Sequence, residues 1–504
     1  MTKNYKFLFF LILIIALFFR LYNLASIPPG LYPDEAMNGN NAREALETKN
    51  FKIFYPENNG REGLFINIQA LFLSLISKNE PWVLRLPSAI FGFLTVLGLY
   101  FLILELFLKV KNYKFKNDDL NENDFGKKIA LFGMFILATS FWHINFSRIG
   151  FRAIMAPFLS VWAFYFLLKA LNQNKKIYLY SVLGGIFFGL GFYTYIAYRI
   201  MPLLLVPLFY FYFKNYKQNN SLKNFYKIWA CFLLITFFVA LPIGIYFLKN
   251  PADFFGRTTQ ISIFNSGHFL RDLTFNIVKT LGMFNFVGDF NWRHNFSGKP
   301  QLDPIIGVLF LFGIYVSIKL RKNENFKLIN SFVWTWFLLA MLPVVISNEG
   351  LPHALRAILM LPPVIILSAL GGIMLYEKII HRPQIWNTPK QKIIKNLSLI
   401  MLFIVLINTY VNYFILWANN PNTRDAFSSN YVELGKKLNS LPQEVKKYVV
   451  VEASGVLVRD IPMPAQTVMF ITDTFLPEKQ AQKNIFYILP DKEIPQDGLI
   501  FYLK

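Results

Sequence analysis

The sequence has 504 residues, of which 55% are hydrophobic, 18% aromatic and only 16% charged, and its mean hydropathy is +0.39. This composition excludes an ordinary soluble globular protein and indicates an integral membrane protein. The net charge of +22 does not indicate a nucleic-acid partner, because the basic residues fall mainly in short connections between apolar runs. The single cysteine, Cys231, excludes an intramolecular disulfide and a cysteine-ligated metal site.

Apolar runs long enough to cross a bilayer recur along the chain. The first, FLFFLILIIALFF at 7–19, is followed by IPPGLYPDEA instead of a small-residue cleavage site, and so predicts a retained signal anchor. Runs of about 17–25 apolar residues predict about eleven transmembrane helices. They lie near residues 7–19, 83–108, 129–146, 151–170, 178–194, 200–213, 228–248, 304–318, 329–347, 356–375 and 397–417.

Lysine-rich connections alternate with connections that carry few lysines. The lysine-rich set predicts the cytoplasmic side, together with the N-terminus MTKNYK. Its members are residues 109–128, 172–176, 214–227, 321–327 and 377–395. The other connections then face outward from the cytoplasmic membrane. They are residues 20–82, 147–150, 195–199, 249–303 and 348–355, with the C-terminal tail.

The composition changes near residue 418. NTRDAFSSNYVELGKKLNSL predicts an amphipathic helix, and YVVVEA, TVMFIT, NIFYIL and LIFYL predict short strands. We therefore expect a transmembrane domain over 1–417 and a small extracytoplasmic α/β domain over 418–504.

Two adjacent carboxylates, Asp34 and Glu35, follow the first span in LYPDEAMNGNNA. Pro33 and these acids fit the first turn of a helix, where acids complement the helix dipole, and first-turn acids need no further role. A site is the alternative, because the same outward loop carries a second polar cluster, PENNGREG, with Asn58, Asn59, Arg61 and Glu62. A carboxylate beside a membrane and facing arginines suits a reaction on a lipid-linked anionic substrate.

Arginines recur at the other outward connections. Arg148 and Arg152 are four residues apart, a spacing that places both on one helix face. Each could be a simple interfacial anchor, but arginine also binds phosphate oxygens in bidentate fashion and stays charged near lipid. The remaining members of the outward polar set are Arg199, Glu349, His353 and Arg356.

The loop FNFVGDFNWRHNFSGKPQLDP at 284–304 places Asp289, Arg293 and His294 close together. It could close a substrate site or be an ordered loop whose polar groups are satisfied locally. Asp, Glu and His could bind a metal, but no spacing is diagnostic.

These stretches resemble a known family. PPGLYPDEAMNGNNA, FYPENNGREGLFI, HINFSRIGFRAIMAP, GDFNWRHNFSGKPQLDP and EGLPHALRAILMLPP are similar to motifs of GT-C class membrane glycosyltransferases, in particular the protein O-mannosyltransferase and aminoarabinose-transferase group and its bacterial family 39-like members. The resemblance covers roughly residues 5–375.

The resemblance implies inverting transfer of a sugar from a polyprenyl-phosphate donor to an acceptor hydroxyl at the outer membrane face. It implies that Asp34 is the general base and that Glu35 orients the site. It assigns the donor phosphate to basic residues: Arg148, Arg152 and Arg356, with His353, Arg199 and Arg61. We expect the polar residues around them to contact substrate: Asn58, Asn59, Glu62, Asp289, Arg293, His294 and Glu349.

The chain departs from the family in two places. Some relatives carry a second acid in the second outer loop, whereas INFSRIGFRA has none, and we therefore expect no metal cofactor. Residues 417–504 lack the sugar-binding insertion of eukaryotic protein mannosyltransferases, so the acceptor can be a lipid, a glycan or a protein. A flippase for a lipid-linked saccharide is the main alternative; a scaffold presenting the C-terminal domain leaves the outward motifs unexplained.

Overall fold

The computed structural model describes residues 3–108, 110, 124–173, 175–260, 263–265, 267–382, 385 and 388–504. The predicted lysine-rich connection at 109–128 lies largely outside this range, as do residue 174 of 172–176 and part of 377–395.

Helices dominate the membrane part of the chain. They are α1 (Lys3–Leu21), α2 (Pro33–Thr48), α3 (Leu64–Ile76), α4 (Pro81–Leu106), α5 (Asp124–Thr139), α6 (Phe141–Phe146), α7 (Met155–Asn172), α8 (Ile177–Leu190), α9 (Leu205–Gln218), α10 (Leu222–Lys249), α11 (Pro251–Gln260), α12 (Phe269–Gly282), α13 (Pro304–Lys319), α14 (Glu324–Val345), α15 (Leu361–Ile380) and α16 (Pro389–Tyr410). Five 3₁₀ segments and one π-helical segment connect or extend them: Arg152–Ile154, Gly191–Tyr193, Ile196–Leu204, Ile263–Asn265, Arg356–Met360 and Val411–Trp417.

Within the described residues, eight helices are long and apolar enough to cross a membrane. All eleven predicted spans fall on helices. Eight of them coincide with these long helices, and the other three predicted spans, near 129–146, 178–194 and 304–318, coincide with shorter helices. The helical, multi-pass membrane architecture with a small C-terminal sheet is confirmed.

A short hairpin joins α2 to α3. Its strands are β1 (Phe54–Tyr55) and β2 (Arg61–Glu62), which pair antiparallel. The turn between them has Asn58, Asn59 and Gly60 at φ of 53°, 61° and 79°. Asparagine and glycine adopt this left-handed conformation most readily, so NNG fixes the turn.

The C-terminal unit, residues 418–504, folds around a small parallel sheet. Its elements are α17 (Pro421–Ala426), α18 (Ser429–Ser440), β3 (Lys447–Val451), β4 (Leu457–Val458), β5 (Ile461–Pro462), α19 (Ala465–Thr472), α20 (Pro477–Lys483), β6 (Ile485–Ile488) and β7 (Leu499–Leu503). The sheet order is β6-β3-β7, with Val449 opposite both Tyr487 and Phe501, and β4 pairs with β5 as a separate hairpin.

One predicted strand of this unit is wrong. TVMFIT at 467–472 forms most of α19, every residue of which is buried. A short apolar run that is buried on all sides has the same pattern in a strand and in a helix, so periodicity could not distinguish them. The other three predicted strands coincide with β3, β6 and β7.

The C-terminal unit packs directly on α2. Gly39 permits the close approach, because a Cβ there would lie 2.6 Å from the Phe470 ring of α19. Asn40 Nδ2 donates to the Gln466 carbonyl at 3.0 Å, and Thr467 Oγ1 donates to the Leu31 carbonyl at 2.9 Å. Helix α2 is therefore buried between the membrane helices and the C-terminal unit.

Candidate active site

A cavity of about 650 Å³ lies between α2, the membrane helices and the C-terminal unit. Its walls contain most of the polar residues that the outward motifs contribute. They are Asp34, Asn58, Asn59, Arg61, Glu62, Arg152, Arg199, Glu349, His353 and Arg356. Segments that are far apart in the sequence thus form one site.

One face of α2 supplies the first wall. Asp34, Asn38 and Asn41 are spaced i, i+4 and i+7 and so point the same way. The half-buried Asp34 carboxylate accepts a hydrogen bond from the Asn58 amide, which fixes it to the β1–β2 turn. Arg61 Nη1 and Nη2 donate to Asn38 Oδ1 at 2.7 Å and Asn41 Oδ1 at 2.5 Å.

Arg61 is thus held by two neutral amides. Burial lowers the pKa of its guanidinium to about 10, and the nearby positive charge of Arg152 acts in the same direction. The group remains a cation at neutral pH, close enough to Asp34 for the two charges to interact. The α2 wall therefore combines a carboxylate with an adjacent cation.

Arg152 and Arg199 share one carboxylate in the second wall. Glu62 Oε2 lies 2.8 Å from Arg152 Nε, and Oε1 lies 3.8 Å from Arg199 Nη2. The Arg199 guanidinium also stacks over the rings of Phe254 and Phe247, with centroid distances of 4.1 and 4.8 Å. One carboxylate between two arginines leaves this wall with a net positive charge.

Arg356 and His353 form the third wall. Arg356 Nη1 donates to the Ser347 hydroxyl and, at 2.9 Å, to the Glu349 carbonyl, while Nη2 pairs with Glu349 Oε2 at 2.7 Å. His353 Nδ1 lies 3.9 Å from Asp289 Oδ2, and the hydrogen bond that joins this wall to the loop behind it is donated by the Ala354 N–H to Asp289 Oδ2 at 2.8 Å.

Glu35 and Arg148 lie outside the cavity. The buried Glu35 carboxylate pairs with Arg85 through two hydrogen bonds of 3.0 and 3.1 Å and accepts the Gly150 N–H at 2.7 Å. Arg148 donates to backbone carbonyls of the α1 end and the following loop, those of Phe19, Tyr22 and Ile27. These contacts indicate that Glu35 and Arg148 stabilise the fold.

The expected common face for Arg148 and Arg152 is also wrong. Gly150 and Phe151 are not helical, so the two side chains leave the chain in different directions. Arg148 donates a hydrogen bond to the Phe19 carbonyl of α1, whereas Arg152 donates one to the Glu62 carboxylate in the cavity.

The loop that contains Asp289, Arg293 and His294 lies behind the third wall. The buried Asp289 accepts hydrogen bonds from the backbone N–H groups of Asn291 and Ala354, both at 2.8 Å, and its Oδ2 lies 3.2 Å from His294 Nδ1. Arg293 stacks over the Tyr32 ring at 3.7 Å. This loop therefore supports the cavity wall without itself lining the cavity.

One group in the described part of the chain could hold a metal ion. Asp289, His294 and His353 offer ligand atoms within 4.8 Å of one another. Because both Asp289 oxygens already accept hydrogen bonds, the cluster also has a sufficient structural explanation.

Sequence reasoning missed two sets of residues. Asn38 and Asn41 had a readable signal, since they share the helix face of Asp34. The C-terminal segment that completes the cavity has no recognisable signal in the sequence, because its position depends on how α19 packs on α2. Its lining residues are Ser454, Gly455, Val456, Met463 and Pro464.

Solved structures match the fold of this chain over nearly its whole length. The AglB oligosaccharyltransferase of Archaeoglobus fulgidus, in complex with an inhibitory peptide and a dolichol-phosphate, aligns with a TM-score of 0.56 at 13% identity and covers 93% of the chain. ArnT of Cupriavidus metallidurans, bound to undecaprenyl phosphate, aligns with a TM-score of 0.53 at 13% identity and covers 97%. Both are GT-C membrane enzymes. The chain has the GT-C fold.

The extent of the GT-C match differs between the two proteins. The alignment spans 64% of the AglB chain but 90% of the ArnT chain. No protein-family model matches the chain, and no curated protein sequence matches it. At these identities the likeness establishes the GT-C fold and no further property of the chain.

Proposed function

We propose that the protein transfers a sugar from a polyprenyl-phosphate donor to an acceptor hydroxyl, with inversion at the anomeric carbon and Asp34 as the general base. The observation that carries the proposal is that one cavity is lined both by Asp34 and by Arg152, Arg199 and Arg356. A direct displacement requires a base beside the incoming hydroxyl and cations beside the leaving phosphate.

The donor side is supported by the arginine-rich walls. Arginine forms bidentate, charge-assisted hydrogen bonds to phosphate oxygens. The phosphate of a lipid-linked sugar reaches these side chains from the ends of membrane helices, and ArnT, which has the same fold, was crystallised with undecaprenyl phosphate. We assign Arg61, Arg152, Arg199, His353 and Arg356 to this phosphate.

The acceptor side is supported by the C-terminal segment 454–464. Its lining residues Ser454, Gly455, Val456, Met463 and Pro464 are all uncharged. We propose that the acceptor hydroxyl enters along this wall and meets Asp34, while Asn58 orients the carboxylate. The lysine-rich connections indicate that the cavity faces the extracytoplasmic side. A lipid, a glycan and a protein are all candidate acceptors.

A flippase for a lipid-linked saccharide is the alternative. Transporters bind substrate near the middle of the bilayer, between repeated halves that alternate in access. Here the charged groups gather in one cavity capped by the C-terminal unit, which favours transfer over translocation.

The test uses the purified protein in proteoliposomes with radiolabelled polyprenyl-phosphate sugars and lipid, glycan and peptide acceptors. We expect label in an acceptor fraction together with release of polyprenyl phosphate. Movement of intact donor across the bilayer without transfer would overturn the proposal and favour the flippase. Asp425→Asn, at an exposed aspartate outside the cavity, is the matched control for variants of Asp34.

A further inference from the structure

The two cavity glutamates that pair with arginines differ sharply in exposure. The Glu349 side chain is 61% exposed, whereas its partner Arg356 is only 8% exposed. The Glu62 side chain, between Arg152 and Arg199, is 3% exposed. A carboxylate that is mostly in water can leave its arginine readily, because exposed ion pairs are weak; a buried one cannot.

Arg356 does not depend on the Glu349 carboxylate for its position. Its Nη1 also donates to the Ser347 hydroxyl and to the Glu349 backbone carbonyl. Both acceptors are neutral and remain when the carboxylate moves away. Nη2, which the carboxylate engages at 2.7 Å, can then donate to another anion.

We propose that Glu349 is a displaceable counter-ion. In the absence of donor its carboxylate pairs with Arg356, and when the donor phosphate binds to Arg356 the carboxylate moves into solvent. The inference rests on the proposed function, because it assigns the arriving anion to the lipid-linked donor. A phosphate can engage several arginine donors and can contact His353 in the same wall, so it competes well with one exposed carboxylate.

Glu62 has the opposite role. Its removal leaves Arg152 and Arg199 as like charges without the carboxylate that holds them together. It is a positioning residue, and losing it should disorder the phosphate site. The same Glu→Gln change therefore has opposite expected effects at the two positions.

The experiment measures the Kd of undecaprenyl phosphate for the full chain in nanodiscs. Glu349→Gln should tighten binding about two- to fivefold, the range expected when a weak exposed competitor is removed. Glu62→Gln should weaken binding, and Glu433→Gln should leave it unchanged. Glu433 is the matched control because it pairs with Arg424 on the surface, with 68% of its side chain exposed.

Equal or weaker binding in Glu349→Gln would overturn the inference, provided that its unfolding temperature matches that of the wild type. Because Glu349 is exposed, we expect that match. Failure of the wild-type protein to bind undecaprenyl phosphate would instead overturn the proposed donor itself. The two failures are therefore distinguishable in one titration series.

Discussion

Asp34 and Glu35 are consecutive residues of α2, yet their carboxylates contact different parts of the protein. Asp34 lines the cavity and accepts a hydrogen bond from Asn58. Glu35 is fully buried against Arg85. Successive helical residues point about 100° apart, so one turn places a half-buried carboxylate in the site and a buried one in the support beneath it.

Glu35 is expected to stabilise the fold. Glu35→Ala leaves the fully buried Arg85 without its carboxylate, and breaking a buried pair in this way typically costs about 3–5 kcal/mol. Chemical denaturation in detergent micelles should show this loss of unfolding free energy. A stable but inactive Glu35→Ala protein would instead indicate a direct role in the reaction.

Arg152 and Arg148 should separate substrate binding from folding. Arg152→Gln removes a charged donor from the cavity and should raise the donor KM about tenfold or more. Its unfolding temperature should fall less than that of Arg148→Gln, because Arg199 remains beside the buried Glu62 carboxylate. Arg148→Gln removes bonds to three backbone carbonyls and should lower the unfolding temperature. The assignment fails if the two variants exchange these phenotypes.

The contact between Glu57 and Arg459 should make the packing of the C-terminal unit sensitive to acid. Burial alone would raise the pKa of Glu57, but the hydrogen bond from Asn41 and the charge of Arg459 lower it overall. A lowered folded pKa means that the stabilisation is full above the unfolded value, about 4.3, and is lost as the pH falls through the folded value.

The corresponding measurement is the unfolding temperature between pH 7 and pH 3. The wild type should lose stability more steeply below about pH 4 than Glu57→Gln, which has no titrating carboxyl at this contact. Parallel curves for the two proteins would show that Glu57 contributes nothing to the pH dependence.

Turnover is expected to be independent of added metal. The Asp289 oxygens are occupied by two backbone N–H groups and His294, so the Asp289, His294 and His353 cluster is satisfied by the protein itself. Treatment with EDTA should leave activity unchanged. Loss of activity that one divalent ion restores would contradict this expectation.

The spans and α2 could be predicted because their signals are local: apolar length in one case, and Pro33 with first-turn acids in the other. The convergence of Arg61, Arg152 and Arg356 could be expected only from the resemblance. These arginines lie in three separate connections, and no local sequence pattern shows that the connections are close in space. Their proximity depends on how the helices pack.

The errors have the same origin. Arg148 and Arg152 looked alike in sequence, but the non-helical Gly150 and Phe151 send them to different places. Residues 467–472 have the composition of a strand, but burial of α19 against α2 accommodates the same apolar run as a helix.

The most direct test of the catalytic assignment compares Asp34→Asn with the wild type in two measurements on the same preparation: kcat for sugar transfer and Kd for undecaprenyl phosphate. Removing a general base should lower kcat about 10²- to 10⁴-fold. The Kd should stay within about twofold, because the proposed phosphate site is formed by the cavity arginines and the introduced amide can still accept a hydrogen bond from Asn58. Retained kcat in Asp34→Asn would contradict the assignment of Asp34 as the base.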